Sequence, residues 1–189
     1  MKIDPRQLEW IHKPQLYFSL ADKIVVETEP NTNITAAEPH ARAAEFSLVA
    51  EGSFCFTMRV DFEFREQFDQ CGIVIYRGDD RQAVCSAARR SEDESWLQAI
   101  VYHTSGGDRS AREIHSGIRW MYFRIWHRSG MIHMQYSFNG NVFRDMREFK
   151  TENDGRPVRL GIYACSPGNS CFDCTFSQMT LEQEAKNGY

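Results

Sequence analysis

Five side chains within one short stretch have the types and spacing of a saccharide-binding surface. Tyr122, Arg124 and Trp126 fall at every second position, and His133 and Gln135 follow beyond a Ser129-Gly130 pair. Sugars present apolar C–H faces that stack on indole or phenol rings, and hydroxyl rims that require fixed donors and acceptors. Aromatic, amide and guanidinium groups on one face supply both. Asp69 and Gln70, earlier in the chain, are candidates to join them. The plainer alternative for the five is an outward-facing strand pair held by cross-strand contact, and for Asp69-Gln70 a tie between a strand end and a neighbouring loop.

Hydrolysis of a glycosidic bond needs two carboxyl groups, about 5–5.5 Å apart for retention and about 6.5–9.5 Å for inversion. Asp61 and Glu63 at i and i+2, with Asp69, are the candidates. Arg59 and Arg65 share their side of the alternation, so a charge-balanced surface is the simpler reading, and exposed ion pairs need no functional explanation. Cys171 and Cys174, with Cys165 nearby, invite a metal or redox reading. On an extended strand, however, residues three apart face opposite sides, and no second Cys-x-x-Cys completes a tetrahedral site. Buried free thiols, no metal and no cofactor are expected. His103, His127 and His133 accompany no recognisable nucleophile elbow, and Ser105-Gly106-Gly107-Asp108 opens no helix that would cradle phosphate.

The elements that must position these groups are strands. From Phe54 to Arg65 the residues alternate strictly, with Phe54, Phe56, Met58, Val60, Phe62 and Phe64 on one side and Cys55 to Arg65 on the other. No helix gathers those six apolar residues into one stripe. A two-residue Ser129-Gly130 loop would pair Arg128 with Met131, Trp126 with His133, and Arg124 with Gln135. Phe123, Ile125, Ile132, Met134 and Tyr136 then form the core layer, with His127 interrupting it near the turn, and the five candidate residues point away. Asn139-Gly140 predicts a second type I′ hairpin. Further strands are predicted over residues 23–27, 46–49, 72–76, 96–103, 118–128, 131–138, 142–149, 158–165 and 172–181, and the one helical window is Asp4 to His12. Many short strands at this spacing indicate an antiparallel sandwich or barrel. The domain is expected over residues 23–183, with residues 1–22 as an extension packed on it and 184–189 as a tail.

The 189 residues carry 22 Lys plus Arg against 26 Asp plus Glu, a formal charge of −4, and no basic block, so nucleic acid is not an expected partner. No window approaches the ~20 apolar residues of a spanning helix, and the N-terminus lacks the ~7–15-residue apolar run of a secretory signal. A cytoplasmic protein with reduced cysteines is expected, with no membrane partner.

With the strands placed, Phe68-Asp69-Gln70-Cys71-Gly72-Ile73, Phe123-Arg124-Ile125, Tyr136-Ser137-Phe138-Asn139-Gly140 and Gly161-Ile162-Tyr163-Ala164-Cys165-Ser166-Pro167 stand in an order that resembles a bacterial and fungal family of unknown function, the YesU-like proteins. Members of that family look like concanavalin A-like lectins and glucanases, and the likeness runs from Lys23 to Leu181. The resemblance implies an all-β, single-domain, two-sheet antiparallel jelly roll with any ligand on the concave sheet. It departs at Arg109, where the family usually carries Trp, and around Gln82 to Cys85, where a Trp-Ile-Lys stretch is absent. The expected function is non-catalytic carbohydrate or glycoconjugate binding. The alternatives are a glycan-processing enzyme, and an interaction or regulatory module, such as a homodimer through exposed strands.

Overall fold

The computed structural model describes residues 1–35, 38–50, 52–103, 106–151 and 156–183. Its fourteen described strands form two seven-stranded sheets in which every neighbouring pair is antiparallel. They are β1 (Glu9–His12), β2 (Tyr17–Ser19), β3 (Lys23–Glu27), β4 (Ala44–Val49), β5 (Phe54–Phe62), β6 (Gln70–Arg77), β7 (Asp80–Arg89), β8 (Glu94–His103), β9 (Gly106–His115), β10 (Trp120–Arg128), β11 (Met131–Ser137), β12 (Arg144–Lys150), β13 (Val158–Cys165) and β14 (Asp173–Gln183). The first sheet runs β12-β11-β10-β5-β14-β3-β2 and the second β1-β4-β13-β6-β7-β8-β9. This is the two-sheet jelly-roll sandwich that the alternation and the resemblance predict.

Apolar alternation fixes which face of each strand turns inward. Phe54, Phe56, Met58, Val60 and Phe62 of β5 are buried, and Phe123, Ile125, Ile132, Met134 and Tyr136 of β10 and β11 lie beside them in one core between the sheets. The register is the predicted one: Arg128 pairs with Met131, Trp126 with His133, and Arg124 with Gln135. Slipping β10 by one residue would turn Phe123 and Ile125 to water, at about 1.5–3 kcal/mol for each side chain. Ser129 (φ 51°) and Gly130 (φ 75°) both have positive φ, as a type I′ turn requires.

Three local expectations are corrected. Asn139 does not share the positive φ of Gly140 (φ 76°). Its Oδ1 accepts the Asn141 and Val142 amides at 2.9 and 3.1 Å, and this side-chain capping opens a wider loop that delays β12 to Arg144. The window Asp4 to His12 is not one helix. Asp4 Oδ1 accepts the Arg6 amide at 3.0 Å and Pro5 starts a single 3-10 turn, but Glu9–His12 then joins β4 as a strand. Residues 9–12 and 17–19 therefore supply edge strands to the two sheets. Gly106–His115, outside the predicted strands, is likewise a strand, β9, with polar, mostly exposed residues; Thr104, Ser105 and the tail 184–189 lie outside the described residues.

The outer faces of the two sheets differ. On the second, Ile34 and Ala43 pack over Val74, Tyr76, Val84, Tyr163 and Cys165 in a smaller apolar cluster. On the first, the outward residues of β10 and β11 are left facing solvent.

Candidate functional site

The five residues of the β10–β11 pair share the outer face of the first sheet. Trp126 is 39% exposed, and its indole N–H donates to Gln135 Oε1 at 3.1 Å. The Gln135 amide N–H in turn donates to Asp145 Oδ1 at 2.8 Å on the adjoining strand. A chain of two hydrogen bonds thus fixes the edge of an aromatic ring whose face stays open. Arg124 is held twice: its Nε–H donates to Thr57 Oγ1 at 3.0 Å, and its guanidinium carbon lies 3.5 Å from the centre of the Phe143 ring. His133 Nδ1 sits 3.2 Å from Glu148 Oε2. Arg124, Trp126, Arg128, His133, Gln135, Asn141 and Phe143 line one open depression of about 570 Å³.

Tyr122 is on the same face but does not line that depression. Gly140 lies so close that an added Cβ would be 2.9 Å from the Tyr122 ring, and the phenol O–H donates to Gln178 Oε1 at 3.2 Å. Tyr122 supports the loop that carries Asn141 and Phe143. Those two, absent from the sequence reading, are visible only once Asn139 is seen to widen the loop. Trp120, 45% exposed, also lies on this face, with its indole N–H donated to the Phe138 carbonyl at 3.1 Å. Extending the Tyr122, Arg124, Trp126 alternation back by two residues identifies it.

Asp69 and Gln70 are not part of this surface. They belong to the second sheet, with the core between them and Trp126. Asp69 is fully buried, and its Oδ2 accepts the backbone amides of Arg65 and Glu66 at 2.8 and 2.9 Å, tying down the turn before β6. Gln70 Oε1 accepts from Tyr163 O–H at 2.9 Å and from the Gln98 amide at 3.2 Å, and Gln98 also donates to Ser86 Oγ at 3.2 Å. The neighbouring Gly72 is explained by close approach of the β7 main chain, because a Cβ there would stand 2.1 Å from the Cys85 carbonyl oxygen.

Asp69 stands apart from the other two carboxyl groups. Asp61 accepts the Arg59 Nε–H at 2.8 Å on the first sheet's outer face, where this hydrogen bond holds the Arg59 guanidinium pKa above its ordinary value. Glu63 is exposed beyond the end of β5, and Asp69 is sealed in the turn beneath the other sheet. The cysteines are free thiols: Cys174 is buried while Cys171 is half-buried, and burial pushes the Cys85 and Cys165 thiols up. Among the described residues no three His, Cys, Asp or Glu side chains gather as a metal site. Arg109 stacks on Trp96, 3.8 Å from its ring centre, on the second sheet.

One buried acid was not anticipated. Glu45 of β4 is 1% exposed, and neither carboxylate oxygen has a hydrogen-bond partner. Burial pushes its carboxyl up to about 7, against the opposing pull of Arg81, 3.6 Å away, and of Arg42.

An antiparallel two-sheet jelly roll is the architecture of concanavalin A-like proteins, and solved structures bear this out at the level of fold. The legume lectin-like domain from Entamoeba histolytica superposes with a TM-score of 0.60 at 11% identity, covering 95% of this chain and 91% of that one. An engineered GH43 glycoside hydrolase reaches 0.73 at 15% identity, over 94% of this chain and only 38% of that one. A functionally unknown protein from Saccharomyces cerevisiae reaches 0.82 at 20% identity, over 95% and 97%. Within this class, the chain belongs to the family described as a protein of unknown function (DUF1349), which matches residues 10–184. A curated relative is "Regulation of enolase protein 1" of Saccharomyces cerevisiae, 25% identical over 179 residues, 91% of this chain and 87% of that protein. Among the described residues, no helix is long and apolar enough to cross a membrane.

Proposed function

We propose that the protein binds carbohydrate without catalysing its cleavage, on the outer face of the first sheet. The observation that carries this reading is Trp126: a ring open on one face, its N–H fixed by Gln135, beside a guanidinium held against Phe143. Stacking on a pre-positioned ring avoids the cost of ordering a mobile side chain on binding. Asp61 is paired with Arg59 and Asp69 is buried, which supports binding over hydrolysis for these two candidate acids. The free thiols suit a reducing compartment, and we place the protein in the cytoplasm. A glycan array followed by calorimetry of the wild type and Trp126→Ala tests the reading. Wild-type binding that weakens about tenfold or more in the variant, about 1.4 kcal/mol, is expected. Absence of any saccharide binding at millimolar concentration removes it.

A second reading rests on a different observation. Leu16, Tyr17, Phe18 and Leu20, at and beside edge strand β2, are 60%, 38%, 61% and 37% exposed. Together with the curated relative's name, this supports a regulatory interaction module, including a homodimer through β2. Light scattering that gives a concentration-independent monomer mass argues against the dimer.

A further inference from the structure

We infer that the saccharide taken by this face is an acidic one, whose carboxylate or sulfate group is met by Arg124; the inference rests on the carbohydrate reading. Among the described residues the depression is lined by Arg124, Arg128 and His133, and by no Asp or Glu. Arg124 is the decisive member. It is half-buried on the sheet, and its contacts among the described residues are neutral: the Thr57 hydroxyl on Nε and the Phe143 ring under its plane. Among the described residues it forms no ion pair. A guanidinium stacked on a ring and anchored through Nε has its two terminal nitrogens directed along one edge. That edge matches the two oxygens of a carboxylate or sulfate in a bidentate pair.

The acids of the neighbouring strand are engaged elsewhere. Asp145 receives the Gln135 amide and Glu148 faces His133. The first of these contacts sets the direction of Gln135 so that its oxygen takes the Trp126 indole. Asp145 therefore completes the stacking platform without neutralising Arg124. Trp126 lies on the same strand two residues from Arg124, about 6–7 Å along it, the spacing of adjacent faces and substituents of one sugar unit or its neighbour.

The experiment compares tri-galacturonic acid with its fully methyl-esterified form and with maltotriose, by calorimetry on the full chain at low and at 0.3 M salt. The acid is expected to bind at least tenfold more tightly than its ester. Salt should weaken the acid and leave the ester unchanged. Arg124→Gln should reduce the acid to the affinity of the ester, and Arg124→Lys should restore part of the difference without the bidentate geometry. Equal affinity of acid and ester, or binding of maltotriose alone, overturns the charge assignment while leaving carbohydrate binding standing. Absence of binding to all three and to every glycan of the array overturns both. The acid–ester comparison uses only wild-type protein, so a variant that fails to fold does not affect the outcome.

Discussion

Trp126 and Gln135 sit diagonally across the β10–β11 pair, joined by an indole N–H to amide oxygen bond of 3.1 Å. Because Gln135 is itself held by Asp145, the ring is oriented before any ligand arrives. Gln135→Ala removes the orienting group and leaves the ring intact. Loss of one hydrogen bond of about 0.5–1.5 kcal/mol predicts a three- to tenfold weaker saccharide affinity with little change in unfolding midpoint. Calorimetry beside a thermal melt separates the two, and an affinity equal to wild type contradicts the orienting role.

Gly72 occupies a position where backbones approach too closely for a side chain. Its Cβ would stand 2.1 Å from the Cys85 carbonyl oxygen and 2.6 Å from Ser86 Cα, both main-chain atoms that cannot rotate away. Gly72→Ala should destabilise the protein by about 2–3 kcal/mol or more through forced separation of β6 and β7. A urea midpoint within error of wild type would show that the strands are not so closely apposed.

The network on the outer face of the second sheet should behave as structure. Tyr163→Phe removes one of the two donors to Gln70 Oε1 and leaves the Gln98 donor in place. A cost of about 1 kcal/mol in stability is expected, with saccharide affinity unchanged because the core separates this network from Trp126. A variant that unfolds normally but loses binding would move the site to the other sheet.

Glu45 predicts a particular pH dependence. Its carboxyl is raised from 4.5 to about 7 in the folded chain, so the folded state favours the protonated form. The penalty is absent below about 4.5, grows as pH rises through the interval, and is complete above 7. At about 1.4 kcal/mol per unit it amounts to on the order of 3 kcal/mol. Arg42, Arg81, Tyr102 and Cys165 share electrostatic coupling with it. His12 acts in the opposite sense: burial first, then Arg42 and Arg81, lower its pKa, so its contribution is lost as pH falls. Denaturation between pH 5 and 8 should show the wild type losing stability that Glu45→Gln retains, and parallel losses in the two proteins would contradict the assignment.

The outward set on β10 and β11 was legible because two-residue periodicity and a Ser-Gly turn leave only one register that buries Phe123, Ile125 and Met134. β7 carried no such signal. Ala83 to Ala88 are buried on both faces, so apolar and small residues run without alternation. β9 was hidden for the opposite reason, since an exposed edge strand places polar residues on both sides. Asp69 and Gln70, candidates for the binding surface, adjoin a strand end as in the plainer of their two readings, and which sheet receives that strand depends on pairings far apart in the chain. Phe143 entered the site through the Asn139 side-chain cap, a local hydrogen-bond choice that an Asn-Gly pair alone does not reveal.

The most direct test of the account follows the tryptophan indole and glutamine amide signals by NMR while tri-galacturonic acid or an array-identified saccharide is added. Trp126 Nε1–H and the Gln135 amide should shift in a saturable way, while the Gln70 and Gln98 amides stay in place. Movement of Gln70 and Gln98 with a silent Trp126 would contradict it.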